Sequence, residues 1–237
     1  MRKVLLTGSI LFVLIISSSS LITIGQKSKE EPTPVTRGFM TPRQKEHSKL
    51  YPQHTGLGKL TALIGNDKSD RSREINLSIL PSTPELLIDG TPESLVNLVL
   101  SSDAIVIGTV LSKTSQLTEN EAFVFTDYVV TINEVLKTNA ATIHPQKVIT
   151  VTRPGGKILM EGRIVNAIDR NFKPLAIGAN VLLFLRYLPA TDSYQAVNYK
   201  SSFELLNNKV KPLSDAPDAK KQREDLNSFL SDIRAAI

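Results

Sequence analysis

The chain reads as a mainly β protein: a small barrel of five to seven strands, with a short helix before it and an amphipathic helix after it. Three observations predict this. Strand-length apolar runs rich in β-branched residues recur from Ala104 to Leu206, turn-forming residues separate them, and a stretch with helical apolar spacing ends the chain. At 237 residues, 41% hydrophobic and 22% charged, the chain has material for one good core and a tail or two.

The elements follow in order. Thr91 can cap a helix, Pro92 suits its first position and Glu93 its positive end, and Leu95, Val96, Leu98, Val99 and Leu100 supply an apolar side. Ser102-Asp103 ends that helix. Ala104 to Leu111 is a strand with Gly108 at its middle, where a bulge or sharp coil is expected. Phe123 to Leu136 is a long strand in which Val130 and Ile132 share a face and Val135 breaks the alternation, which predicts a bend at Asn133-Glu134. Val148 to Thr152 is a third strand, stopped by Pro154-Gly155-Gly156, and Lys157 to Ala167 a weaker fourth. Ala179 to Leu188 is apolar on both faces apart from Arg186, as befits a strand with a barrel interior on one side and a helix on the other. Tyr194 to Tyr199 and Ser202 to Leu206 form a closing pair. From Asp215-Ala216-Pro217 onward, Ala219, Leu226, Phe229, Leu230, Ile233 and Ile237 fall on one helical stripe.

Before the barrel lie two segments of different character. Arg2 and Lys3 precede a predominantly apolar run from Val4 to Ile24, followed by polar Gln26 to Glu31. This has the form of a membrane-targeting segment: a cleaved signal peptide fits the densest block, Ile10 to Ile16, and a retained anchor fits the whole run. Either way the rest of the chain is expected outside the cytoplasm, secreted or held in the membrane by residues 4–24. Residues 26–90 alternate charges with Pro32, Pro34, Pro42 and Pro52 and read as a flexible tether. The expected organisation is therefore 1–25 targeting segment, 26–90 tether, 91–211 barrel, and 212–237 helix packed on the barrel.

Composition removes several function classes. There is no cysteine, which excludes disulfides, thiolate metal sites and cysteine nucleophiles. The net charge of +5 is not a patch: residues 27–75 hold ten bases against six acids, whereas 76–237 hold sixteen against seventeen. Nucleic-acid binding, which needs bases concentrated on one surface, is not expected. Gly56-Leu57-Gly58-Lys59 does not match the phosphate-loop spacing.

The segments Leu95-Val96, Ser102 to Val110, Val130-x-Ile132-x-Glu134-Val135-Leu136-Lys137, Ile149-x-Val151-x-x-Pro154-Gly155-Gly156 and Gly178-x-x-Val181 to Leu185 together resemble a group of exported bacterial β-barrel proteins of unassigned activity, over about 115 residues. In outline the strand order is similar to the OB-like barrel of netrin-like modules and tissue inhibitors of metalloproteinases. That resemblance implies a fold and an exported setting. It carries no inhibitory mechanism, because those inhibitors act through an N-terminal cysteine that this chain lacks.

Candidate chemistry is sparse. Asp103, Asp127 and Glu134 are carboxylates on strands, and acid/base work would need two of them to converge. His47, His54 and His144 are the only histidines; the first two fall in the tether at no metal-ligand spacing, and all three are expected to be solvated. No Gly-x-Ser-x-Gly elbow is present. The most site-like element is Arg153-Pro154-Gly155-Gly156-Lys157: Arg153 and Lys157 flank Gly155 and Gly156, so cations and backbone amides could together hold a carboxylate or phosphate. A plain strand-to-strand turn explains the same residues. Tyr128, Tyr187, Tyr194 and Tyr199 could line a ligand face or sit as strand residues. The expected function is a non-enzymatic binding or interaction module at the cell envelope, with an envelope protein or glycan as partner, the membrane reached through the N-terminal segment, and no metal or cofactor. A hydrolase using strand carboxylates and a structural envelope component are the alternatives.

Overall fold

The computed structural model of the chain describes residues 33–34, 40–51, 60, 74–79, 94–139, 143–215 and 225–237. The apolar run over residues 4–24 lies outside them. Among the described residues the elements in chain order are β1 (Thr33–Pro34), α1 (Pro42–Lys49), β2 (Glu74–Ile79), α2 (Leu95–Ser101), β3 (Ala104–Leu117), β4 (Val124–Thr138), β5 (Val148–Pro154), β6 (Gly156–Met160), β7 (Arg163–Asp169), β8 (Asn180–Leu188), β9 (Ser193–Ala196), β10 (Ser202–Leu206), β11 (Lys209–Pro212) and α3 (Leu226–Ala236). No described helix is long and apolar enough to cross a membrane.

β3 and β4 form the spine, paired antiparallel along their length. Asn133, Leu136 and Leu111 are each an extra residue in that ladder: Ile107 faces Glu134 while Gly108 faces Ile132, Ile105 faces Lys137 while Val106 faces Val135, and Val110 faces Val130 while Ser112 faces Val129. Three bulges in one pair bend it sharply, and the bend anticipated at Asn133-Glu134 is the middle one. Gly108 is required there: a Cβ would lie 2.6 Å from the carbonyl oxygen of Thr131 and 2.7 Å from Val130 Cγ1.

The bent pair closes on itself. β5 lies against β4, β8 against β3, and β9 pairs antiparallel with the second half of β8 and parallel with β5 through Val151–Tyr194 and Thr152–Gln195. This gives a ring of five strands, β3-β4-β5-β9-β8, which closure leaves without a free edge. β10 pairs with the first half of β8, and β11 with β10, extending the sheet beyond the ring.

Alternation along β8 separates two cores. Val181, Leu183 and Leu185 join Val106, Val110, Val130, Ile132, Ile149 and Val151 in the interior cluster. Leu182 and Phe184 belong instead to a cluster with Ile105, Phe203 and the helix residues Leu98, Val99, Phe229, Leu230 and Ile233. The strand apolar on both faces therefore has a barrel interior on one side and helices on the other. α2 starts from Ser94, whose hydroxyl accepts from the Asn97 amide, and at its far end Ser102 Oγ and Lys137 Nζ donate to the carbonyls of Leu98 and Val99 at 2.6 and 2.7 Å. α3 starts at Asp225, whose carboxylate accepts from the amides of Asn227 and Ser228. Residues 91–93, where the sequence reading starts the first of these helices, lie outside the described residues; of Asp215-Ala216-Pro217, where it starts the second, only Asp215 is described, and it is not helical, its amide donating to the Arg170 carbonyl.

The structure departs from the sequence reading in three places. Tyr194 to Tyr199 and Ser202 to Leu206 do not pair with each other, because β9 lies between β8 and β5 while β10 lies between β8 and β11. Lys157 to Ala167 is not one strand but the hairpin β6–β7, turning at Glu161 (φ 52°) and Gly162 (φ 77°), a pair of left-handed residues that suits a tight hairpin. And the segment expected to be a tether contributes elements to the fold. β2 pairs parallel with β7, and its Ile75 and Leu77 pack against a cluster of Ile158, Met160, Val165 and Ala167 with Leu117 and Val124. Helix α1 carries a full capping box at its start: Thr41 Oγ1 accepts from the Gln44 amide, and Gln44 Oε1 accepts from the Thr41 amide at 2.7 Å. Its residues are nearly all polar, so no apolar stripe announces it; tertiary contacts hold it.

Candidate functional site

Those tertiary contacts make the site. Immediately after α1, Tyr51 stacks on Phe123 and Phe125 with centroids 5.4 and 5.6 Å apart, and from α1 itself Ser48 Oγ accepts from the Glu119 amide at 2.8 Å. These anchors set the side chain of His47, fully buried, between β4 and the turn that joins β8 to β9. Its Nδ1 lies 2.9 Å from Asp127 Oδ1 on β4. Its Nε2 lies 2.8 Å from Ser193 Oγ and 3.2 Å from Thr191 Oγ1, and the two hydroxyls are 2.5 Å apart.

The proton positions follow from the partners. A carboxylate oxygen accepts, so Nδ1 is the nitrogen that donates to Asp127, and the other nitrogen, Nε2, faces the two hydroxyls. Ser193 is completely buried, whereas Thr191 is only half-buried. Thr191 lines an open cleft of about 960 Å³ between α1 and the β8–β9 turn, together with Met40, Pro42, Arg43, Lys45, Glu46, Pro189, Ala190 and Asp192. The arrangement is thus a carboxylate, an imidazole and two hydroxyls in series, with the outer hydroxyl at the cleft. At the same turn the Tyr187 hydroxyl donates to Asp192 at 3.0 Å, and that bond holds the phenol proton on and raises its pKa.

The residues singled out from sequence are distributed differently. Arg153 is buried: its Nη1 donates to the Lys173 carbonyl at 2.8 Å, and its guanidinium lies 5.5 Å from the centre of the Phe172 ring. Burial lowers its pKa, with the phenols of Tyr128 and Tyr51 and the carboxyl of Asp169 opposing. Lys157 instead lies on the outer face of the β6–β7–β2 sheet, where it reaches Glu74 at 3.0 Å. Gly155 (φ 82°) and Gly156 (φ 145°) form the corner between β5 and β6. The amide of Gly155 donates to Val124, its carbonyl accepts from Thr126, and a Cβ on Gly156 would collide with the hydroxyls of Thr126 and Ser115. The loop's backbone is engaged within the fold, and its two cations stand in different surroundings, so the anion grip anticipated for Arg153, Gly155, Gly156 and Lys157 is not assembled in this conformation.

Of the three strand carboxylates, Asp103 accepts from the Tyr187 amide at 2.9 Å and Glu134 pairs with Arg234 on the surface at 3.1 Å. Asp127 alone of the three meets a histidine. His144 is exposed beside its own turn, and His54 lies outside the described residues. Tyr128 and Tyr194 are interior residues of the barrel, while Tyr187 and Tyr199 are half-buried. Sequence reasoning missed His47 because it assigned residues 40–51 to a tether; the signal that could have found it is Thr41-Pro42-Arg43-Gln44, a helix start with a capping residue, a proline and a glutamine at the right positions. No protein-family model matches the chain, and no curated protein matches it.

Proposed function

We propose that the protein is an interaction module of the cell envelope, placed outside the cytoplasm by its N-terminal segment, that binds an extended segment of a partner protein in the cleft between α1 and the β8–β9 turn. The observation that carries this reading is the cleft's lining. Among the described residues its lining offers two cations (Arg43, Lys45), two anions (Glu46, Asp192), a methionine and two prolines. Mixed charge beside small apolar side chains suits a polypeptide with charged side chains of both signs. The closed five-stranded ring supports the reading by giving both walls a rigid base, one through α1 docked on β4 and the other through the hairpin that closes the barrel. The exported setting rests on the apolar run from Val4 to Ile24 and its basic flank.

The test is capture by the immobilised full chain from the source organism's envelope proteins, compared with its purified envelope glycans, and with an Arg43→Ala plus Asp192→Ala variant alongside. Saturable binding of a protein, weakened at least tenfold in the variant, is the expected result. Binding of glycan alone, or protein binding equal in the two chains, would move the function away from this cleft.

A further inference from the structure

The floor of the cleft carries more than binding requires. We infer that Thr191 is an activated nucleophile, and that the protein transfers acyl groups from ester or activated amide bonds presented in the cleft; this rests on the cleft being the binding site. Three facts meet at this hydroxyl. It is half-buried and lines the cleft. It stands 3.2 Å from His47 Nε2 directly, and 2.5 Å from Ser193 Oγ, which is itself 2.8 Å from Nε2. And the far nitrogen of the imidazole is oriented by Asp127 at 2.9 Å, in a place where the ring is fully buried. A base aimed at a hydroxyl, and oriented by a buried acceptor on its other nitrogen, is what activation of an alcohol needs, because the free hydroxyl is a weak nucleophile at neutral pH.

The step balances as an acyl transfer. Thr191 Oγ1 forms a bond to the carbonyl carbon, and its proton passes to His47 Nε2, either directly or through Ser193, while the carbonyl π electrons move to oxygen. Arg43 and Lys45 on the cleft wall are the cations within the site for that oxyanion. Collapse breaks the bond to the leaving alcohol or amine, which takes the proton from Nε2, and leaves an ester on Thr191. Water then attacks that ester, Nε2 accepts the water's proton, and Thr191 regains it as the acid is released. Asp127 stays ionised throughout and stabilises the imidazolium formed in each half. Ser193, completely buried, is a positioning residue that relays the proton and touches no substrate.

The probe is a small alkyl fluorophosphonate, which reacts with activated hydroxyls and leaves a stable adduct that mass spectrometry can place. The full chain is expected to be labelled at Thr191, more slowly after His47→Gln by at least tenfold, and not at all at that position after Thr191→Val. Should His47→Gln not fold, as judged by circular dichroism, Thr191→Ser serves instead: the smaller hydroxyl keeps the relay and is expected to be labelled at least as fast. Folded wild-type chain that gains no adduct, an adduct on another residue, or labelling equal in the His47→Gln chain would overturn the inference. Partner capture without labelling removes the acyl transfer and keeps the interaction reading; labelling at Thr191 without any partner does the reverse.

Discussion

His47 Nδ1 stands 2.9 Å from Asp127 Oδ1, although 80 residues separate the two in sequence. The contact joins a polar eight-residue helix to β4, and that helix forms one wall of the cleft. An isolated helix of this length is unstable in water, so α1 owes its place to His47, Ser48 and Tyr51. Replacing His47 by Ala leaves a carboxylate and a buried hydroxyl without their partner. A loss of about 2–4 kcal/mol is expected in urea unfolding followed by circular dichroism, with a coupling to Asp127→Asn of about 1 kcal/mol or more in the double-mutant cycle. Additive single effects would mean that the pair does not hold the helix.

Gly108→Ala tests the spine. The added methyl meets a backbone oxygen and a packed valine, neither of which can swing away, so a cost of about 1–3 kcal/mol is expected from overpacking. A thermal midpoint unchanged in the variant would place the bulge elsewhere.

Arg153→Met is expected to be neutral or stabilising by about 1–4 kcal/mol. The guanidinium is buried, its Nε and Nη2 have no hydrogen-bond partner among the described residues, and a methionine keeps the packing against Phe172 while relieving a desolvated charge. The comparison is by denaturant midpoint. A clear loss of stability would show that the cation is held by more than the Lys173 carbonyl.

Phe229→Ala should weaken the outer core. Phe229 packs edge-on against Phe203 with centroids 5.1 Å apart, and Phe203 in turn against Phe184, so about 3–5 kcal/mol is expected, as for other fully buried aromatics. Differential scanning calorimetry would show this as a lowered midpoint with a single transition; two transitions would make α3 an appendage.

How much of this was legible follows from where each element draws its stability. β3, β4, β5, β8 and β10 bury regular apolar faces, and their periodicity shows it; β8 even revealed that both its faces are covered. β2 has the same mark, since Ile75, Leu77 and Ile79 alternate with Glu74, Asn76 and Ser78, but it stands among charged residues that read as tether. β11 is four residues long and depends on Asn207 and Asn208, both left-handed at φ 50° and 60°, to turn back on β10. Helix α1 shows only its cap. The site was half legible: Asp127 stood among the candidate carboxylates and His47 among three histidines, but their meeting is tertiary, and no local spacing encodes it. The loop from Arg153 to Lys157 misled for the converse reason. Its glycines are needed to turn a strand, and strand alternation sends Arg153 inward.

The proposal places a protein segment in the cleft between α1 and the β8–β9 turn. Its most direct test is the rate at which dilute peroxide oxidises Met40, a cleft-lining residue, with and without the captured envelope protein. Met160 is buried and serves as the internal reference. Met40 is expected to be protected several-fold by the bound partner while Met160 is unchanged. Equal Met40 oxidation in the free and the bound protein would contradict it.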